Sequence, residues 1–157
     1  MNLTIQNLSE LKLLAKTMAK KLGGSEIFLL TGDLGAGKTT FVKEICHYLS
    51  VREAISSPTF AIVQNYQGKW PIYHFDLYRI NHEKELIDLD LDLYFNNNAI
   101  IFIEWADKLN KCRPKKFIEI NFTFLTEKSR LLTFVPQGSK FQELINALEE
   151  LKINGFN

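Results

Sequence analysis

Eight residues near the first fifth of the chain combine the types and spacing needed to hold a polyphosphate. They are Gly32-Asp33-Leu34-Gly35-Ala36-Gly37-Lys38-Thr39, which fit the pattern G-x-x-x-x-G-K-[ST]. Glycine admits positive φ and close approach of the backbone, so successive N–H groups can wrap around phosphate oxygens. Lys38 would then run along the β- and γ-phosphates, and the Thr39 hydroxyl would complete the shell of a Mg²⁺ ion. A helix starting there points its positive end at the same anion. Asp33, Leu34, Gly35, Ala36, Gly37, Lys38, Thr39 and Thr40 are therefore the candidate nucleotide-binding residues.

With average composition the four fixed positions match by accident at roughly 1 start site in 30,000, or about one random chain of this length in 200. Context separates this match from an accident. The apolar run Glu26–Thr31 precedes the loop, and Thr40–Leu49 follows it with helical spacing, so strand, loop and helix come in the required order. A glycine turn with a solvated lysine is the competing reading, and it leaves that order unexplained.

Such a loop needs an acid to hold Mg²⁺ or its water, commonly at the C-terminal end of a buried strand. Ala99–Ile103 is a continuous apolar run of the kind buried on both faces, and Glu104 ends it. Two roles are open to Glu104: polarising the attacking water, or ordering the metal shell. Asp76 is the second carboxylate, within His74-Phe75-Asp76-Leu77-Tyr78-Arg79. On an extended strand His74, Asp76 and Tyr78 share one face, which is also what a solvent-facing edge strand shows. Arg79 is the best internal candidate for neutralising γ-phosphate charge, although spacing alone equally fits a surface arginine. His74 reads as a hydrogen-bonded structural histidine, with no ligand cluster to support zinc. Thr59, in Ser57-Pro58-Thr59, could reach the metal or γ-phosphate as a switch, or simply follow a proline turn. Trp105, directly after Glu104, stands at the site or packs.

The elements that must position these groups follow from periodicity. Ser9 is the expected N-cap of a first helix whose apolar face is Leu11, Leu14, Ala15, Met18, Ala19 and Leu22, ended by Gly23-Gly24. Phe60–Tyr66 and Ile72–Leu77 predict two strands joined by a hairpin-like connection. His82–Phe95 predicts one or two short helices. Phe117–Phe124 and Leu131–Val135 predict late strands, and a closing helix spans about Lys140 to Leu151. Helices and buried strands interleave early while strands cluster late, which predicts an α/β fold with a mostly parallel central sheet and antiparallel additions.

At 157 residues the chain is expected to form one domain, residues 1–157. The net charge of +1 singles out no polyanionic partner. Arginine is confined to Arg52, Arg79, Arg113 and Arg130, and the tight pair Lys115-Lys116 reads as a solvated loop, so no nucleic-acid footprint is visible. Cys46 fits a small core residue, and Cys46 and Cys112 have no metal-like spacing. With no signal-peptide pattern and no apolar run of membrane-spanning length, the expectation is a reduced, soluble, cytoplasmic protein.

Taken in order, Gly32–Phe41, Ser57-Pro58-Thr59-Phe60, His74–Arg79 and Ile103-Glu104-Trp105 resemble the TsaE (YjeE) family, small bacterial P-loop ATPases needed for threonylcarbamoyladenosine modification of tRNA. The resemblance covers nearly the whole chain, including the late Arg130-Leu131-Leu132 strand leading to Gly138. It implies a P-loop NTPase-type α/β sheet with flanking antiparallel strands and helices. It implies work with a TsaD–TsaB complex, which transfers the threonylcarbamoyl group, while the ATPase supports repeated turnover and meets tRNA only indirectly. By motif match, Lys38 and Thr39 bind phosphates and Mg²⁺, Thr59 belongs to a first switch, Asp76 and Glu104 serve metal and hydrolysis, and Trp105 lies in a second switch.

Three rivals fit less well. Guanine specificity usually needs N-K-x-D, and Asn110-Lys111-Cys112-Arg113 ends in arginine. A small-molecule kinase shields the γ-phosphoryl and commonly brings several arginines on a lid, which four scattered arginines do not provide. A nucleotide-gated binding module differs mainly in degree, since a site without an arginine finger beyond Arg79 hydrolyses slowly on its own. For the adenine base, the segment before Ser9 is the candidate.

Overall fold

The computed structural model describes residues 1–154. Its centre is strand β2 (Ile27–Gly32), whose first four residues are all buried. β2 runs parallel to β5 (Ile100–Glu104) on one side and to β6 (Phe117–Phe124) on the other, and β4 (Pro71–Asp76) runs parallel to β5. Antiparallel strands complete both edges: β3 (Val63–Gln67) on β4, then β7 (Arg130–Gln137) on β6 and β1 (Asn2–Ile5) on β7. The order across the seven strands is β1-β7-β6-β2-β5-β4-β3. The expected parallel centre with antiparallel additions is therefore present, as four parallel strands flanked by three antiparallel ones.

Apolar side chains on both faces of β2 and β5 call for helices on both sides of the sheet. Helices α1 (Leu8–Lys21), α2 (Lys38–Tyr48) and α5 (Gln142–Asn154) belong to one side. There Leu14, Met18, Phe41, Ile45 and Leu148 share a core with Phe28, Ile118 and Phe102, and the Phe28 and Phe102 rings stack at 5.0 Å. The short helices α3 (Glu83–Asp88) and α4 (Leu91–Phe95), with a 3₁₀ segment Ala106–Cys112, cover the other side over Leu29, Phe75, Ile101 and Ile103. Among the described residues no helix is long and apolar enough to cross a membrane.

Several boundaries differ from the sequence expectation, three of them for a visible local reason. The N-cap of α1 is Asn7, not Ser9: its side chain accepts from the Glu10 N–H, and the Glu10 carboxylate accepts from the Gln6 N–H. Strand β3 starts at Val63, not Phe60. The Pro58 carbonyl accepts from the N–H groups of Ala61 and Ile62, and this turn, with Ile62 at φ 65°, takes Phe60 out of the sheet. The last helix starts at Gln142, after a 3₁₀ turn at Ser139–Phe141.

Gly32, where β2 leaves the sheet, has φ 127°, and a Cβ there would sit 2.3 Å from the Phe122 carbonyl oxygen. Only glycine lets the chain turn into the phosphate loop while β6 runs this close.

Cys46 is fully buried on α2, and burial pushes its thiol up to about 12. At pH 8 almost none of it is thiolate, the form that alkylates. Iodoacetamide should label only Cys112 in the native protein and both cysteines in urea. Mass spectrometry after digestion checks this, and rapid native labelling at Cys46 would contradict the packing of α2 against the sheet.

Candidate functional site

The C-terminal ends of β2, β5 and β4 lie side by side, and the site is built where they stop. The loop after β2 closes with an Ala36 N–H to Asp33 carbonyl bond of 3.2 Å, and α2 opens at Lys38 behind Gly37. Gly35 and Gly37 both hold positive φ, 76° and 105°, and a Cβ on either would meet open space. The backbone therefore presents a bare, concave surface at the start of a helix, as expected for wrapping an anion.

One cavity of about 360 Å³ gathers nearly all the residues singled out by sequence. Leu34, Gly35, Ala36, Gly37, Lys38, Thr39 and Thr40 form its loop side. Thr59, Asp76, Glu104 and Trp105 form the opposite side, with Ser57 and Tyr78. Two candidates lie outside this lining. Asp33 contributes its backbone, whose carbonyl accepts from the Lys38 ammonium at 2.9 Å. Arg79 stacks its guanidinium 4.0 Å above the Phe60 ring. Among the described residues no arginine lines the cavity.

Asp76 and Glu104 are register partners on neighbouring parallel strands, and each is 3 % exposed. Two carboxylates this close and this buried need donors, and each has its own set. On Asp76, Oδ2 accepts from the hydroxyls of Ser57 and Thr59, the latter at 2.8 Å, and Oδ1 accepts from the Tyr78 N–H at 2.9 Å. On Glu104, Oε1 receives the Thr39 hydroxyl at 2.8 Å and lies 2.8 Å from His74 Nε2. The edge-strand reading of the His74 face is thus corrected: β3 covers β4, His74 is fully buried, and only Tyr78, beyond the strand end, is exposed.

Lys38 is almost fully buried. Its ammonium donates to the Gly32 carbonyl at 2.5 Å and lies 4.1 Å from the centroid of the Trp105 ring. Burial lowers its pKa below the ordinary lysine range, and the carboxylates of Glu104, Asp76, Asp107 and Asp33 oppose that shift. Trp105 is held in the left-handed region at φ 58°, ψ 41°, with its ring 5.1 Å from that of Tyr78. Lys108 ties the segment after β5 to the one after β4, donating to the carbonyls of Tyr78 and Ile80.

A second cavity of about 210 Å³ adjoins the first across Gly35, Ala36, Gly37 and Thr40. Ile5, Asn7, Leu8 and Leu11 line it from the N-terminal segment, and Phe122, Lys128, Arg130 and Leu132 from β6, β7 and the turn between them. The roles of Ser57 and Tyr78, and the contact between His74 and Glu104, escaped sequence reasoning. Period-two alternation puts His74 and Asp76 on one face, but only the register of β4 against β5 puts Glu104 beside them.

Beyond its geometry the chain can be placed by likeness. The family model described as "Threonylcarbamoyl adenosine biosynthesis protein TsaE" matches residues 5–132. The chain belongs to the TsaE family. A Bacillus subtilis (strain 168) protein named tRNA threonylcarbamoyladenosine biosynthesis protein TsaE is 36 % identical over 143 residues, covering 90 % of this chain and 89 % of that one. A Rickettsia felis protein of the same name is 38 % identical over 149 residues, with coverage of 94 % and 86 %. The crystal structure of Bacillus subtilis YdiB superposes with a TM-score of 0.81 at 29 % identity, covering 96 % of this chain and 94 % of that one. The TsaE fold is thus a P-loop α/β sheet with antiparallel edges.

The hydroxyls of Ser57 and Thr59 make Asp76 the anchor of the loop before β3. Asp76→Ala should cost about 1–3 kcal/mol, since three part-buried donors lose their bonds to a charged acceptor. It should also speed amide exchange across residues 57–62. Urea unfolding and hydrogen-exchange mass spectrometry measure the two effects, and an unchanged exchange rate would show that the loop is held elsewhere.

Proposed function

We propose that this chain is a Mg²⁺-dependent ATPase that supports threonylcarbamoyladenosine modification of tRNA. It acts in the cytoplasm with a TsaD–TsaB-type complex and meets tRNA only indirectly. The observation that carries the reading is the convergence of a bare glycine loop, Lys38, Thr39, Asp76 and Glu104 on one cavity.

The donor set fits Mg·ATP. Among the described residues no group of three or more His, Cys, Asp or Glu is arranged to hold a metal by itself. A P-loop site does not need one, because Mg²⁺ keeps waters and takes phosphate oxygens beside one or two protein ligands. Thr39, Glu104 and Asp76 would hold the ion or its waters, and the ion would supply charge neutralisation at the phosphoryl oxygens. The N–H groups of the loop and the Lys38 ammonium would bind the phosphates. Glu104 would orient the attacking water, and Thr59 would serve as a switch, freed from Asp76 when a phosphate competes for its hydroxyl. The second cavity fits an adenine base next to the loop, with Asn7 and Leu8 in the segment before Ser9.

Arg79 stands on Phe60, away from the cavity, so stabilisation of charge in the transition state is incomplete in the chain alone. That supports slow intrinsic hydrolysis and stimulation by a partner. A nucleotide-gated module is the limit of the same reading in which turnover is negligible. The observation favouring it is the tie of Ser57 and Thr59 to Asp76, a loop state that a ligand can reverse.

Lys38→Ala should weaken ATP binding about 10–100-fold, the equivalent of a hydrogen bond between charged groups. Titration followed by calorimetry checks this. Glu104→Ala should bind ATP and lose turnover, so unchanged hydrolysis would remove Glu104 from the chemistry. In a reconstituted mixture, adding TsaD–TsaB should raise phosphate release by the wild-type chain, and no rise would count against a coupled ATPase.

A further inference from the structure

We infer that His74 is a positioning residue for Glu104: its Nε2–H holds one carboxylate oxygen so that the other is left for the cavity. The inference rests on the proposed ATPase reading, in which Glu104 orients water or metal ligands.

His74 sits inside β4 with Ile72 on the same face, opposite Phe102 of β5, in the layer covered by α2. Ile72 and Phe102 beside it in that layer are apolar, and a fully buried imidazole there needs a specific partner. Glu104 Oε1, 2.8 Å from Nε2, is that partner. The other ring nitrogen, Nδ1, is buried without a hydrogen-bond partner among the described residues. This asymmetry assigns the proton. On Nδ1 it would be an orphan N–H, and two acceptors would face each other at Nε2; on Nε2 it is donated to the carboxylate.

Oε1 of Glu104 also receives the Thr39 hydroxyl, whereas Oε2 accepts from none of the described residues. Glu104 borders the cavity, so the oxygen without donors is the one available to a water or a metal shell. The two donors on Oε1 differ in kind. Thr39 would have a second task in the phosphate loop, where its oxygen would face a metal, and its O–H is a free rotor whose direction the backbone does not fix. His74 is locked in the sheet and has no other acceptor among the described residues. It is therefore the donor whose direction is fixed by the sheet, and it would keep Glu104 oriented as outer partners commonly do for metal-site carboxylates.

The test uses the full-length chain with His74→Met, which has similar reach and no donor, and His74→Gln, whose amide N–H reaches as far as Nε2–H. His74→Met should bind Mg·ATP with wild-type Kd by calorimetry and lose about 10–100-fold in kcat for phosphate release, the usual loss for an outer-shell partner. His74→Gln should recover most of kcat. Nitrogen-15 NMR of the imidazoles, with the His74 signal identified by its loss in His74→Gln, should show the proton on Nε2 and a shift of that signal in Glu104→Ala. Wild-type kcat in His74→Met, equal losses in both His74 variants, or a proton on Nδ1 would each overturn the inference. If His74→Met does not fold, the Gln variant and the NMR assignment decide. Wild-type turnover in Glu104→Ala would instead sink the reading on which the inference stands.

Discussion

Two buried carboxylates at neighbouring positions of a parallel sheet set the terms for everything around them. Asp76 and Glu104 are register partners, so their backbones lie one strand spacing apart, about 4.8 Å. Unpaired charges at that depth are costly, and like charges side by side more so. The chain answers with separate donors for each: Ser57, Thr59 and the Tyr78 N–H for Asp76, His74 and Thr39 for Glu104. The Lys38 ammonium adds positive charge between the phosphate loop and this pair. Its own desolvation, which lowers its pKa, is opposed by the carboxylates that it helps to balance.

That arrangement binds together segments far apart in the chain. The loop before β3 is tied to the end of β4 through Asp76, and α2 is tied to the end of β5 through Thr39 and Glu104. On the proposed function, a phosphate or a metal entering the cavity would meet these same hydroxyls, and so would act on the loop at residues 57–62 and on the start of α2. The sheet itself is the rigid reference, since β2 and β5 are buried on both faces.

Among the described residues, two of the five non-glycine positions with positive φ, Ile62 and Trp105, belong to segments that border this cavity. Ile62 at φ 65° and Trp105 at φ 58° occupy the left-handed region, which costs a residue with a side chain of order 1–3 kcal/mol. Both are held by local bonds. Ile62 donates to the Pro58 carbonyl at 2.7 Å and accepts from the Asp76 N–H at 2.9 Å. Trp105 is clamped between Lys38 and Tyr78. Each clamp involves a residue of the cavity.

What could be read from the residues alone was whatever is local. The glycine loop, the helix after it, the apolar run of β5 and the acid at its end all follow from neighbours in sequence, because turn, helix and buried-strand preferences are short-range. The four motifs in order also sufficed to indicate the TsaE family. What needed the folded chain was everything that depends on strand register and on which loop crosses which edge. Pro58 turned Phe60 out of the expected strand, and Asn7 took the cap from Ser9, since competing hydrogen bonds a few residues apart decide such boundaries. β3 paired with the outer side of β4 and α2 packed over the His74 face, so a face that alternation alone would equally allow on an edge became part of the site. Arg79 went to Phe60 instead of the cavity because it lies past the end of β4, where no periodicity governs direction. The pairing of Asp76 with Glu104, and of Glu104 with His74, joins positions about thirty residues apart in the chain and is set by the hydrogen-bond ladder between two parallel strands.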